Sequence, residues 1–324
     1  MITSNDLKGI MAMMPAFTTK DGDRIDATDT VDTDELACAV DKLIRDGGVN
    51  VLTTTGSFGE FHTLLWDEHK KLIEATVAAV KKRVPVFVGC TSLNPREAIR
   101  QAKFAQEAGA DGLLLGVPFY YAATVDNAVQ FYHDVADALP KMGVMIYHNP
   151  THHRVTIPVS AFKKITEKPN IVGMKDSHRT PLQFVELCAI TKGKMSVFVN
   201  QTQMFPYYQL GAAGCWSFNV WMGPSPVATL RDACVAQDWE TAKRICLDLD
   251  ATNKVGPNIG NLSWRENVFK LSVNEAGYCT AGPLRAAWRI VPQEVKDNSR
   301  KIAAYWKTLC EKYPLVRAAE RKTA

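Results

Sequence analysis

Lys175 closes the apolar run Ile171-Val172-Gly173-Met174 and so places an ammonium where the preceding side chains call for dry surroundings. Burial disfavours charged lysine, lowering its pKa toward neutrality and leaving a nucleophilic amine. By two-residue periodicity Gly173 shares the face of Lys175, and a glycine there opens room beside the amine. The same placement suits a lysine that snorkels out at a rim to pair with Asp176, and position alone does not choose. Tyr147 closes another apolar run and could shuttle a proton to and from atoms reacting at an amine. Taken alone, a strand tyrosine is more often a core residue with a satisfied hydroxyl. Gly56-Ser57-Phe58-Gly59-Glu60 offers consecutive backbone N–H groups in a glycine-flanked turn, a nest for a carboxylate or phosphate. Two glycines in a turn are common, so that motif is weak by itself. His148, His152 and His153 invite a metal reading. No H-x-x-x-H face or carboxylate cluster accompanies them, so solvated loop histidines are expected rather than a metal site.

These residues fall at the ends of regularly spaced elements. Short apolar runs cover residues 9–17, 50–55, 85–90, 112–117, 143–149, 171–176, 195–200 and 214–218. Between and after them lie amphipathic stretches, including 34–45, 66–82, 95–108, 128–139, 159–168, 181–191, 205–210 and 226–236. Eight strand–helix pairs predict an α/β fold, a (β/α)8 barrel over 1–237. An open doubly wound sheet is the runner-up, but no G-x-G-x-x-G turn follows the first run. Beyond 237 the pattern is helical (239–252, 264–276, 293–312), predicting a C-terminal helical extension over 238–324 packed on the barrel. Residues 317–324 are expected to fray. Strand ends face the active site in such a barrel. That rule gathers Tyr120 after the fourth run, Tyr147 and Asn149 at the end of the fifth, Lys175 on the sixth, and Trp216, Ser217, Phe218 and Asn219 at the end of the eighth.

Composition bounds the function. The 324 residues are 46% hydrophobic and 22% charged, with a net charge of +4. This suits a globular enzyme and is too mild a charge for a nucleic-acid footprint. No apolar run is long enough for a membrane span, and the first residues do not read as a signal peptide, so a cytoplasmic location is expected. The eight cysteines show no C-x-x-C pair, and reduced, mostly buried thiols are expected.

Four landmarks in order make the chain resemble the dihydrodipicolinate synthase/N-acetylneuraminate lyase family of pyruvate-dependent class I aldolases. They are Gly56-Ser57-Phe58-Gly59-Glu60, Tyr147-x-x-Pro150, Gly173-x-Lys175-Asp176 and Gly211-x-x-Gly214-x-Trp216-Ser217. Tyr147 and Lys175 also stand 28 residues apart, as in the family. The resemblance implies a covalent imine on Lys175, a substrate carboxylate held at Gly56, Ser57 and Phe58, and Trp216 and Ser217 closing over pyruvate. It implies Tyr147, Ser57 and Tyr120 as a proton relay. It also implies a homotetramer, a small-molecule keto-acid substrate, and no metal, nicotinamide or pyridoxal cofactor.

The departures narrow the expectation. Phe58 replaces a threonine, Asn149 stands where synthases carry an aliphatic residue, Trp216 fills a usually aliphatic place, and His152 replaces an arginine, with Arg154 nearest. The resulting flatter, aromatic pocket resembles the hydratase-aldolase branch that cleaves aryl-substituted unsaturated pyruvates in polycyclic aromatic catabolism. Asn149 is then expected to hold the water that adds to the alkene. A condensing synthase-like enzyme is the rival, disfavoured by the missing arginine. His148, His152, His153, Arg154 and Arg179 could attract an aryl carboxylate, which favours a carboxybenzalpyruvate of the phenanthrene route over a hydroxybenzylidenepyruvate. They could equally be solvated loop charges.

Overall fold

The computed structural model describes residues 1–176, 178–255 and 262–315, and the side chains of all of these except 262–266 and 287. The expectation of a frayed tail at 317–324 lies outside the described residues. Eight strands close into a parallel barrel in chain order. They are β1 (Gly9–Met13), β2 (Val51–Thr53), β3 (Val86–Gly89), β4 (Gly112–Leu115), β5 (Gly143–Tyr147), β6 (Ile171–Lys175), β7 (Ser196–Asn200) and β8 (Gly214–Ser217). The strand β1 pairs with both β2 and β8, which removes the edge an open sheet would leave. The doubly wound alternative is excluded.

Helices surround the barrel: α1 (Thr33–Arg45), α2 (Trp66–Val80), α3 (Pro95–Glu107), α4 (Val125–Ala138), α5 (Pro150–His153) and α6 (Phe162–Ile165). There follow α7 (Pro181–Thr191), α8 (Met204–Gln209) and α9 (Ser225–Val235), then the C-terminal helices α10 (Trp239–Ala251), α11 (Leu262–Ala276) and α12 (Gln293–Lys312). Caps explain several starts. The side chains of Asp32, Asn94 and Thr180 accept backbone N–H groups of the first turns of α1, α3 and α7, with proline opening the latter two. The helix expected over 159–168 is shorter, a 3-10 turn (Val159–Ala161) followed by the single turn of α6. Pro169 biases Lys168 away from helical geometry, and Thr166 turns its hydroxyl back onto the Phe162 carbonyl at 2.8 Å.

Two apolar layers follow from strands buried on both faces. The larger lies between strands and helices. The smaller fills the barrel with Leu7, Met11, Met13, Val51, Phe87, Leu114, Met145, Val172 and Phe198, ending upward in Tyr147 and Trp216. All eight cysteines are free thiols, five of them buried. No helix among the described residues is long and apolar enough to cross a membrane.

Candidate active site

The register of the barrel pairs Tyr147 with Lys175, so both project from neighbouring strand ends. Lys175 is 4% exposed. Its Nζ lies 3.9 Å from the ring centre of Trp216 and 5.0 Å from that of Tyr147. The room that Gly173 creates is filled from below. A Cβ there would come within 3.1–3.3 Å of Met145 and Leu7, so the glycine admits apolar packing beneath the lysine rather than leaving open space. The Tyr147 hydroxyl is 3.0 Å from Ser57 Oγ, and Asn149 Nδ2 donates to it at 3.4 Å. A buried amine, a phenol, a serine hydroxyl and a carboxamide thus converge at the mouth of the barrel.

The loop carrying Ser57 is bent at both ends by left-handed non-glycine residues, Thr55 (φ 47°) and Glu60 (φ 48°). Each such residue costs on the order of 1–2 kcal/mol, so the surroundings must impose the shape. Thr55 is held by its Oγ1 donating to the Gly89 carbonyl at 2.9 Å. Glu60 N–H donates to the Ser57 carbonyl at 3.0 Å and closes the turn. Gly59 lies against the backbone of Thr55, where a Cβ would meet Cα and N at 2.8 Å. At the far end, the Glu60 carboxylate takes Lys270 Nζ at 2.7 Å and Arg285 Nη1 at 3.1 Å, both buried.

Asp176 follows Lys175 off the end of β6 and is engaged by neighbouring basic side chains. Its Oδ1 takes His148 Nδ1 at 3.0 Å, and its Oδ2 lies 2.6 Å from Arg179 Nε. His148 Nε2 accepts the Ile157 N–H, so the ring proton sits on Nδ1 and is donated to Asp176. Burial alone would raise the Asp176 pKa, but His148 and Arg179 outweigh it and hold the carboxyl at about 2. Trp216 Nε1 donates to the Asp176 carbonyl at 3.2 Å, fixing the indole over the lysine.

This network corrects two expectations. His148 and His153 are buried, not solvated. Burial, followed by the neighbouring His152, pulls His153 down to about 3, so it is neutral at pH 7. Arg179 is committed to Asp176 and to the Ile157 carbonyl at 2.9 Å. Of the five basic residues considered for an aryl carboxylate, only His152 and Arg154 are not buried. The donor atoms of His148, Asp176 and His178 lie within 4.8 Å of one another. Both nitrogens of His148 are already engaged and a guanidinium lies on the carboxylate, a donor set that does not fit a cation.

Tyr120 stands apart from the hydroxyl pair. It is two-thirds exposed, its ring lies edge-on to Tyr121 at 4.8 Å, and its carbonyl accepts from Arg154 Nη1 at 3.1 Å. The expected relay through Tyr120 is therefore not assembled within the chain. Ser217 is also corrected: its buried hydroxyl donates to Gln201 Oε1 at 2.5 Å and accepts the Val220 N–H, tying loops together instead of facing a ligand. Phe218, named among the residues ending the eighth run, joins the aromatic wall, whereas sequence reasoning missed Phe269. Ring centres run 5.2 Å from Phe58 to Phe218, 6.2 Å from Trp216 to Phe218 and 4.3 Å from Phe218 to Phe269. Phe218 shares the two-residue period of Trp216. Phe269 lies on α11, and no local pattern links it to the barrel.

A parallel barrel with this converging set at its strand ends matches the model of the dihydrodipicolinate synthetase family over residues 9–273. The chain belongs to that family, and is an enzyme of the lyase class. It is similar to the trans-O-hydroxybenzylidenepyruvate hydratase-aldolase of Sphingobium xenophagum, 35% identical over 94% of this chain and 95% of the relative. It is 29% identical to the trans-2'-carboxybenzalpyruvate hydratase-aldolase of Nocardioides sp. (strain KP7), over 96% of each. The solved structure of PhdJ bound to a substrate intermediate superposes with a TM-score of 0.90 at 30% identity, covering 96% of this chain and 99% of that one.

Proposed function

We propose that this enzyme is a Schiff-base hydratase-aldolase that converts an aryl-substituted 2-oxobut-3-enoate and water into an aromatic aldehyde and pyruvate. The observation that carries the reading is the buried Lys175 amine between Trp216 and Tyr147, beside the Ser57–Tyr147 hydroxyl pair. The substrate carboxylate lies on the backbone N–H groups of Ser57 and Phe58. Lys175 adds to the C2 ketone and water leaves, giving an imine. Its protonated form is conjugated with the alkene and draws electrons from C4. Water held by Asn149 adds there, placing the hydroxyl on C4 and a proton on C3. Tyr147, backed by Ser57, then removes the hydroxyl proton. The C3–C4 bond breaks, its electrons enter the iminium, and aldehyde departs from an enamine. Protonation at C3 and hydrolysis release pyruvate and regenerate the amine. The iminium itself is the electron sink, so this route calls for no metal, nicotinamide or pyridoxal group.

The aromatic wall of Phe58, Phe218 and Trp216 supports an aryl substituent. Within that class the finer reading is trans-o-carboxybenzalpyruvate, as in phenanthrene degradation, with the incompletely buried His152 and Arg154 as the basic residues to meet the ring carboxylate. trans-o-Hydroxybenzylidenepyruvate is the alternative. Comparing kcat/KM for the two at low and high salt separates them. A carboxylate preference that shrinks with salt supports the first, and no preference with no salt dependence removes it.

The covalent step is tested by borohydride reduction in the presence of pyruvate. A mass increase mapped to Lys175 is expected in the wild type and none in Lys175→Ala, which should also lose all decay of the enone's ultraviolet absorbance. An unchanged mass, or an adduct on another side chain, overturns the reading.

A further inference from the structure

The Glu60 side chain of the carboxylate loop meets the C-terminal part of the chain directly, through Lys270 of α11 and Arg285. The residue occupies a left-handed conformation that glycine or asparagine would fill with less strain, so the position asks for a carboxylate. The groups that meet it come from far along the chain. Lys270 on α11 gives Nζ to Glu60 Oε2 and to Thr18 Oγ1, at 2.7 and 2.8 Å. Arg285 bridges Glu60 to Thr30, donating to the Thr30 hydroxyl and carbonyl. A second carboxylate, Glu68, accepts from Thr30 and from Leu65 N–H, so two cations and two anions are joined in one buried network. Burial, set against the pull of Glu60, draws Lys270 down to about 8. The residue before Lys270 works in parallel: Phe269 packs on Phe218, which packs on Phe58 of the same loop. The helix α11 therefore holds the turn at Glu60 directly and at Phe58 through Phe218, and the cradle N–H groups of Ser57 and Phe58 lie just before Glu60 in the chain.

We infer that Glu60, clamped by Lys270 and Arg285, is a positioning residue that holds the Ser57 and Phe58 N–H groups in register for the substrate carboxylate, making α11 part of the keto-acid site. This deepens the proposed function and rests on the Lys175 imine. The clamp touches neither ketone nor amine, so its loss should weaken the grip on a carboxylate and spare a substrate that lacks one.

The test is borohydride trapping at increasing pyruvate and, separately, increasing methyl pyruvate, in wild type, Glu60→Gln and Lys270→Met, with folding followed by circular dichroism. For pyruvate, half-saturation should rise about tenfold or more in both variants, as expected when charge-assisted contacts lose their geometry. For methyl pyruvate it should change less than about twofold, the maximal extent of trapping being retained for both. Should Glu60→Gln not fold, Lys270→Met decides alone, since it leaves Arg285 on Glu60. Equal losses for the two ketones, or no loss in a folded variant, overturn the clamp. Absence of trapping in the wild type would instead sink the imine reading, so the two failures are distinct.

Discussion

Trp216 donates its indole N–H to the backbone carbonyl of Asp176, and the same ring lies 3.9 Å from the amine of the preceding residue, Lys175. The hydrogen bond sets the angle at which an apolar face meets the nitrogen. Trp216→Phe keeps an aromatic ring but loses the anchor. A hydrogen bond of this kind contributes about 1 kcal/mol, so kcat/KM on an aryl enone pyruvate should fall about five- to tenfold. Trp216→Leu, which also loses the wall beside Phe218, should fall further. Steady-state kinetics check both, and a leucine variant as active as the phenylalanine one would deny the wall a role.

Tyr147 and Ser57 share one hydroxyl contact, so they should act as a unit. Removing the phenol in Tyr147→Phe should lower kcat by on the order of 100-fold or more, the usual worth of a proton-transfer group. Ser57→Ala should cost less, because Asn149 still reaches the phenol. The double variant should resemble Tyr147→Phe alone. Multiplicative losses in kcat would show that the two hydroxyls serve separate steps.

Much of this arrangement is legible in the sequence. A parallel strand covered on both faces reads as an apolar run, so eight runs gave the barrel, and strand ends gave Lys175, Tyr147, Asn149 and Trp216. What escaped has a common physical origin: long-range pairing leaves no local period. Glu60 meets Lys270 across 210 positions, and neither residue's neighbours announce the other. His148 and Arg179 read as loop charges because loops are usually solvated, yet one carboxylate, Asp176, draws both inside. Ser217 stands on the expected strand end, but only the observed Gln201 contact reveals that its hydroxyl is committed.

Asn149 precedes the proline that opens α5 and does not cap that helix with its side chain, which instead reaches Tyr147. Its carboxamide is thus available beside the phenol where water would add to the alkene. Asn149→Leu should slow hydration of the enone by about tenfold or more, consistent with the loss of one or two hydrogen bonds to the reacting water. Cleavage of the separately prepared 4-hydroxy adduct should suffer less. Single-turnover absorbance records give the first rate and aldehyde release gives the second. Equal losses in both would remove the special link to water.

Acid should destabilise the site in two stages. His153 is 4% exposed, packs edge-on to Tyr147 and is held at about 3, chiefly by burial, then by His152, against a hydrogen bond with the Tyr147 backbone. An unfolded chain binds that proton near 6.5, so between 6.5 and 3 the unfolded state carries the extra proton and stability falls as pH is lowered. Asp176, held at about 2 in the fold, adds a second loss in the same direction, beginning as pH drops below the ordinary carboxylate value of 3.8. His153→Gln keeps a donor for the Tyr147 backbone and has no charge to gain. Between pH 7 and pH 5 the wild type should therefore lose about 2 kcal/mol more than this variant, at 1.4 kcal/mol per unit below 6.5. Other buried histidines, such as His69 at about 4, contribute equally to both proteins and cancel in the comparison. Urea midpoints for the two proteins at each pH give the difference, and parallel curves would mean that His153 accepts its proton inside the fold.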